Sequence, residues 1–206
     1  LSYRATQASD AQPYEINISL WDALAGTVEQ GKDKYQFHRF ICAHAILLAL
    51  EGIPAIYVHS LVATENDLSR VENTGNLRSI NRHVWDQEQL ESHLANGDSR
   101  HSRVLTRLLA LLRVRKKQKA FHPNATMLTL HLGPGLFGFW RQSLDRGQNI
   151  FAVFNVTNET RMLDVGNLNL TIDQTWIDLV EGASVTDRSD PLCLDPYRFL
   201  WIGNEV

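Results

Sequence analysis

The sequence predicts a chain of two parts, an α/β part followed by an all-β part. Apolar side chains recur at helical spacing over residues 33–50. Residues 53–58 are apolar without alternation, which is the pattern of a parallel strand covered on both faces. After residue 123, short strand-like runs are separated by turn residues. A helix and a strand that are followed by a run of short strands indicate two modules. We place these modules at residues 1–122 and 123–206.

The first part opens with a long irregular segment. Residues 1–31 show no steady periodicity and predict a loop with a short helix near residues 20–25. A loop of this length inside a compact protein is usually functional. Asp33 then precedes a helix, and Gly52 follows its end, where glycine commonly terminates helices.

Two further helices are predicted before the boundary. Asp86 and Gln89 can open a short amphipathic helix, which Gly97 closes. A stronger helix covers about residues 99–117, with its apolar side chains directed inward. The β-rich part then follows as six predicted strands, at residues 127–132, 136–142, 149–155, 162–165, 175–179 and 198–202.

Composition excludes several classes of function. The net charge of −3 argues against nucleic acid as the main partner, because a surface for phosphate backbones is normally strongly basic. The longest apolar run, residues 45–50, is far below the roughly 20 residues that span a bilayer. Cys42 and Cys193 lie far apart and show no metal-ligand spacing. Their number fits a reducing compartment, although the two cysteines could also pair.

Two stretches carry a resemblance to a known family. Residues 13–17 read Pro-Tyr-Glu-Ile-Asn, and residues 77–83 read Leu-Arg-Ser-Ile-Asn-Arg-His after the Gly-Ile-Pro start of the predicted strand at 52–58. In this order they resemble the loops after the seventh and eighth strands of an α-amylase-type barrel, in the sucrose phosphorylase branch of glycoside hydrolase family 13. The resemblance covers residues 1–123 and extends to the β-rich part by architecture only.

The resemblance implies a fold for both parts. The first would be the C-terminal part of a (β/α)8 TIM barrel, comprising its last strand and the flanking helices. The second would be a small antiparallel β-sheet or sandwich domain. A complete barrel takes roughly 250 residues, so the last strand would lack neighbouring strands in this chain and would expose an apolar edge.

The resemblance also implies four substrate-binding residues. Arg78 matches the arginine that grips the far hydroxyls of the glucosyl unit, a task suited to its planar fork of donors. Tyr14 and Glu15 lie in the loop that borders the acceptor or phosphate site. Many sucrose phosphorylases carry glutamine at the position of Glu15, and a carboxylate there would disfavour phosphate unless it is turned away. His59, at the end of the predicted strand, is either a wall of the site or a structural histidine.

The activity implied is that of a retaining α-glucoside phosphorylase acting on sucrose or a related glucoside such as glucosylglycerate. One carboxylate attacks the anomeric carbon, a second protonates the leaving oxygen, and phosphate accepts the glucosyl unit to give glucose 1-phosphate. In the family these carboxylates precede the point that corresponds to Leu1, so we assign no catalytic residue here and expect the isolated chain to be inactive.

The same resemblance implies a small-molecule α-glucoside and phosphate as partners, whereas nucleic acid and membrane are excluded by the charge and the short apolar runs given above. No metal site is expected, because His38 and His44 are six residues apart and do not share one helix face. We expect no cofactor, with phosphate as a co-substrate, and a cytoplasmic location, and we leave a homodimer open. Two alternatives stay open. An α-glucoside hydrolase would use water in place of phosphate, and a non-catalytic carbohydrate-binding module would bind sugar through Trp140, Trp176 or Trp201.

Overall fold

The computed structural model describes residues 2–4, 12–168, 170–171, 174–185 and 191–204. Its helices are α1 (Leu20–Ala23), α2 (Gln36–Ala49), α3 (Val58–Leu61), α4 (Leu68–Thr74), α5 (Gln87–Ala95) and α6 (Arg100–Lys116), with 3-10 turns at Leu77–Asn81, Lys119–Phe121 and Val165–Leu168. Its strands are β1 (Ser2–Arg4), β2 (Gln12–Glu15), β3 (Gly26–Thr27), β4 (Gly31–Lys32), β5 (Thr126–Thr129), β6 (Leu136–Gln142), β7 (Asn149–Asn155), β8 (Arg161–Leu163), β9 (Trp176–Asp178), β10 (Leu192–Leu194) and β11 (Phe199–Asn204).

The three longer helices lie where the sequence predicts them. In α2, Phe40, Ala45 and Leu48 are fully buried on one face. Helix α5 begins after Asp86, whose carboxylate accepts a hydrogen bond from the Gln89 amide at 2.9 Å, as the capping pattern predicts. Helix α6 buries Val104, Leu108 and Leu111 as expected, whereas Leu109, which was also expected to point inward, is 38% exposed.

The strand expected at residues 53–58 is not formed. Residues 53–57 carry no assigned secondary structure, and Val58 already begins α3. The backbone of Tyr57 is extended, but no strand in the described part of the chain pairs with this segment. An extended segment becomes a strand only through hydrogen bonds to a neighbour. Ile53 and Val58 are accordingly exposed, at 84% and 61%.

The β-rich part forms an antiparallel sheet of five strands in the order β5-β6-β7-β11-β9. Strands β6 and β7 have the bounds that the sequence predicts. The short ladder of β8 with β10 lies outside this sheet. Strand β10 was not predicted, because three residues after Pro191 give too short a pattern to recognise.

Side chains of this sheet build a hydrophobic core. Its centre includes Trp176 and Ile202, which are 2% and 0% exposed. Trp201 is also fully buried, and its ring packs edge-on against Phe121 at 4.9 Å. Cys42 and Cys193 are both free, and burial raises the pKa of the Cys42 thiol to about 12.

Contacts group the chain into two compact units, the first being Leu1–Gln36 with Ile56–Thr106 and the second Phe37–Ala55 with Arg107–Val206. The second unit therefore contains both the antiparallel sheet and helical residues that precede it in sequence. The predicted module boundary at 122–123 stays a prediction. In the part of the chain described here, no helix has both the length and the apolar character of a membrane span.

Candidate functional site

The segment that carries Arg78 is a short 3-10 turn, Leu77–Asn81, in the first unit. Asn76 caps it, since its side-chain oxygen accepts a hydrogen bond from the Arg78 amide at 3.0 Å. The Ser79 amide donates to the Asn76 carbonyl at 2.9 Å, and the Arg82 amide donates to the Ser79 carbonyl at 3.1 Å. The backbone is therefore fixed by local bonds, and the Arg78 side chain extends from it about half exposed.

An ion pair brings two of the predicted substrate-binding residues together. The Arg78 Nε donates to Oε2 of Glu15 at 2.7 Å, although the two residues are 63 positions apart. Glu15 ends strand β2, whose pairing with β1 places it opposite Ser2. The carboxylate is thus turned toward the guanidinium, and the two opposite charges offset each other. Their role in substrate binding stays a prediction.

The other two predicted residues have different surroundings. The backbone of Tyr14 belongs to β2, while its side chain lies outside the described part of the structure. His59 lies in α3 rather than at the end of a strand, and its Nδ1 is 3.3 Å from Oγ1 of Thr64. Its ring meets that of Tyr57 edge-on at 5.0 Å. Burial, and secondarily the charge of His83, lowers the pKa of His59.

Asp67 is an organising residue that the sequence interpretation missed. It caps helix α4, because its Oδ1 accepts hydrogen bonds from the Arg70 amide and the Ser69 hydroxyl, both at 2.8 Å. Its Oδ2 lies 2.6 Å from Nδ1 of His83. This contact is the main reason that the pKa of Asp67 falls to about 2. The local run Asn-Asp-Leu-Ser at residues 66–69 is a helix-start signal that could have revealed α4.

The indole ring of Trp85 packs against this acid–imidazole pair. The Trp85 ring meets those of His83 and His101 edge-on, at 4.7 Å and 5.1 Å between centroids. The Trp85 indole nitrogen also donates to Oγ1 of Thr64 at 3.1 Å. A polar cleft of about 230 Å³ opens here, lined by Thr64, Glu65, Asn66, Asp67, Leu68, Ser69, His83, Trp85 and Arg100. Among the described residues, no three His, Cys, Asp or Glu side chains are grouped so as to hold a metal ion.

The relatives found by comparison with known proteins are named as phosphorylases. No protein-family model matches the chain. The chain is 34% identical over 193 residues to the glucosylglycerate phosphorylase of Allomeiothermus silvanus, covering 92% of this chain and 31% of the relative. The glucosylglycerate phosphorylase of Escherichia coli is 29% identical over 190 residues, covering 92% and 32%. A sucrose phosphorylase of Agrobacterium vitis is 30% identical over 59% of this chain and 22% of its own length. The chain thus spans about a third or less of the length of these relatives.

Solved structures show the same fold. An α-amylase from Anoxybacillus superimposes with a TM-score of 0.61 at 16% identity, over 82% of this chain and 32% of that protein. This likeness confirms the α-amylase-type architecture that the resemblance implied, with an antiparallel β-rich part after the helical one. The named relatives confirm the resemblance itself.

Proposed function

We propose, from the chain's membership of the glucosylglycerate and sucrose phosphorylase group within glycoside hydrolase family 13, that the protein transfers a glucosyl unit from an α-glucoside to phosphate. The product would be glucose 1-phosphate. The observation that carries this proposal is the 34% identity to a glucosylglycerate phosphorylase over 92% of the chain. The pairing of Glu15 with Arg78 supports it, because the family resemblance assigns these residues to the acceptor and glucosyl sides of one site.

Glucosylglycerate is the donor that we favour over sucrose. Two glucosylglycerate phosphorylases match 92% of the chain, whereas a sucrose phosphorylase matches 59%. Phosphate and the carboxylate of glycerate are both anions, and an isolated Glu15 would repel either of them. The ion pair with Arg78 removes this objection, because the two side chains together carry no net charge.

Each residue then has a defined task. The Arg78 guanidinium would hold the far hydroxyls of the glucosyl unit, for which its several donors in one plane are suited. The Glu15 carboxylate would keep the guanidinium oriented and border the acceptor side. The nucleophile and the acid/base are not assigned to any residue of this chain, and we expect the 206-residue chain alone to show no turnover.

The test is an assay of the full-length protein with glucosylglycerate, glucosylglycerol and sucrose, each with and without inorganic phosphate. We expect phosphate-dependent release of glucose 1-phosphate, fastest from glucosylglycerate. Release of free glucose at the same rate without phosphate would instead establish the hydrolase.

Two of the three tryptophans that the carbohydrate-binding alternative needs are buried. Trp176 and Trp201 are 2% and 0% exposed and belong to the core of the sheet. Trp140 is partly buried, with its ring stacked near Phe151 at 6.2 Å and its nitrogen bonded to the side chain of Asn149. A sugar ring needs an open aromatic face, so the two buried tryptophans are not available for stacking.

A further inference from the structure

The segment that carries Arg78 is held from outside as well as by its own cap. The Asp67 amide donates to the carbonyl of Ile80 at 2.7 Å, and the Tyr57 hydroxyl donates to the carbonyl of Asn81 at 3.1 Å. The Thr74 hydroxyl bonds that of Ser79 at 2.9 Å. Every residue from Ser79 to Asn81 is therefore tied to a neighbouring element, while Arg78 directs its side chain to Glu15.

Asp67 makes one of these bonds and adds two others through its side chain. Its amide holds Ile80, its Oδ2 holds His83 just beyond the turn, and its Oδ1 caps α4. An ionised carboxylate can only accept, so the Nδ1 of His83 must carry the proton that is shared at 2.6 Å. The Asp67 side chain is 12% exposed and that of His83 31%, so the bond is partly shielded from water.

We propose that Asp67 is a positioning residue, which acts with His83 to set the place of Arg78. Backbone and side chain of Asp67 bind the segment at Ile80 and at His83, two and five residues after Arg78. Removing the carboxylate frees the imidazole and the start of α4 together. Arg78 then samples several positions, and the donor glucoside binds less tightly even though Arg78 itself is intact.

This proposal rests on the proposed function, so it is tested in the full-length protein with the phosphorolysis assay. Asp67→Ala and His83→Ala should each raise the KM for the α-glucoside by roughly tenfold, the size expected when a hydrogen bond to a charged group is lost. The value of kcat should change much less, because uniform binding of the glucosyl unit is what weakens. Asp67→Asn should restore most of the affinity, since asparagine still caps a helix and still bonds an imidazole.

The matched control is Asp86→Ala. Asp86 caps α5 in the same unit and through the same type of bond, to the Gln89 amide at 2.9 Å, but has no bond to the Arg78 segment among the described contacts. Losing this cap should cost stability and leave KM unchanged. An equal rise of KM in Asp86→Ala and Asp67→Ala would show that loss of any helix cap in this unit weakens substrate binding. That result would overturn the proposal.

Hydrogen exchange supplies a second readout, independent of turnover. Amides of residues 77–83 should exchange faster in Asp67→Ala and His83→Ala than in Arg78→Ala, because Asp67 binds this segment at Ile80 and at His83, whereas the Arg78 side chain binds Glu15. Unchanged exchange, or faster exchange with unchanged KM, would overturn the positioning role alone. A wild-type protein without phosphate-dependent turnover would instead remove the proposed function and the substrate on which this proposal depends.

Discussion

At the scale of single residues, the Arg78–Glu15 pair shows why arginine rather than lysine stands in this segment. Its Nε is used on Glu15 at 2.7 Å, and a guanidinium has further nitrogens in the same plane. Lysine would offer one point charge on a flexible stem. The pair itself is half exposed, so its own contribution to the stability of the fold is small, about 1 kcal/mol or less.

We therefore predict that Arg78→Lys impairs substrate binding without unfolding the protein. The loss of a planar, multi-donor contact should lower kcat/KM for the α-glucoside by about 100-fold, or roughly 3 kcal/mol. Steady-state kinetics of the full-length protein measure this. Arg113→Lys, at an exposed position of α6, is the control and should behave as wild type. Equal activity of the two variants would contradict the role given to Arg78.

At the scale of elements, two arginine side chains donate hydrogen bonds to the last carbonyl groups of helix α2. Arg141 is fully buried, and its guanidinium donates to the carbonyl of Ala49 at 2.7 Å and to that of His122 at 2.9 Å. Arg115 donates to the carbonyl of Leu48. The last carbonyls of a helix have no partner within it, so these side chains satisfy groups that burial would otherwise leave unpaired. Burial, and then the charge of Arg115, lowers the pKa of Arg141 to about 10, so it stays charged at neutral pH.

Replacing Arg141 by Met should lower the free energy of unfolding by about 3 kcal/mol, because methionine fills part of the volume and bonds none of the carbonyls. Urea denaturation of the full-length protein, followed by tryptophan fluorescence, reports the change. Arg113→Met, a surface position on α6, provides the comparison and should shift the midpoint little. The interpretation is wrong if both substitutions shift it equally.

A second prediction concerns Asp178 in the short strand β9. It is 2% exposed, its Oδ1 accepts from the Val180 amide at 3.1 Å, and its Oδ2 has no hydrogen-bond partner among the described residues. Burial raises the pKa of Asp178, opposed by the hydrogen bond from the Val180 amide and by the charge of Arg198, while the charge of Glu181 raises it further. The folded state thus holds this proton more tightly than the unfolded state does. The contribution to stability is full below the ordinary pKa and is lost as the pH rises through the raised one.

Asp178→Asn should therefore raise the free energy of unfolding at neutral pH by about 1 kcal/mol. It should also flatten the fall in stability that the wild type shows above pH 4, which thermal unfolding at several pH values measures. Asp164→Asn, on an exposed carboxylate, is a suitable control. A destabilised Asp178→Asn protein would show that the buried carboxylate is paired more favourably than its geometry indicates.

At the scale of the whole molecule, local signals were predictable and long-range pairings were not. Periodicity within a few residues predicts helix α2 and strands β6 and β7. The short pattern Asp86–Gln89 predicts the cap of α5. Helix α4 buries no side chain, so its sequence has no apolar periodicity from which a helix could be predicted. The contacts of Arg78 with Glu15 and of Asp67 with His83 join distant positions, which no spacing rule encodes. The family resemblance gave Arg78 and Glu15 individually as candidate substrate-binding residues but did not predict their ion pair.

Residues 53–58 have the apolar pattern of a strand but do not form one. Their apolar run is that of a strand covered on both faces, yet the described chain offers it no paired strand, and Ile53, Tyr57 and Val58 are 84%, 50% and 61% exposed. Unpaired backbone together with apolar side chains favours association with another chain. We therefore predict that the 206-residue chain, purified alone, self-associates at micromolar concentration.

Sedimentation velocity over a dilution series measures this association. The double substitution of Ile53 and Val58 by lysine should shift the distribution toward monomer, because charges at an unpaired edge oppose pairing. Val28→Lys is the control, since Val28 is a fully exposed apolar residue in the turn between β3 and β4, and it should leave association unchanged. If the wild-type chain is monomeric throughout, or if Val28→Lys is as effective as the double substitution, the segment at 53–58 is not the cause of association.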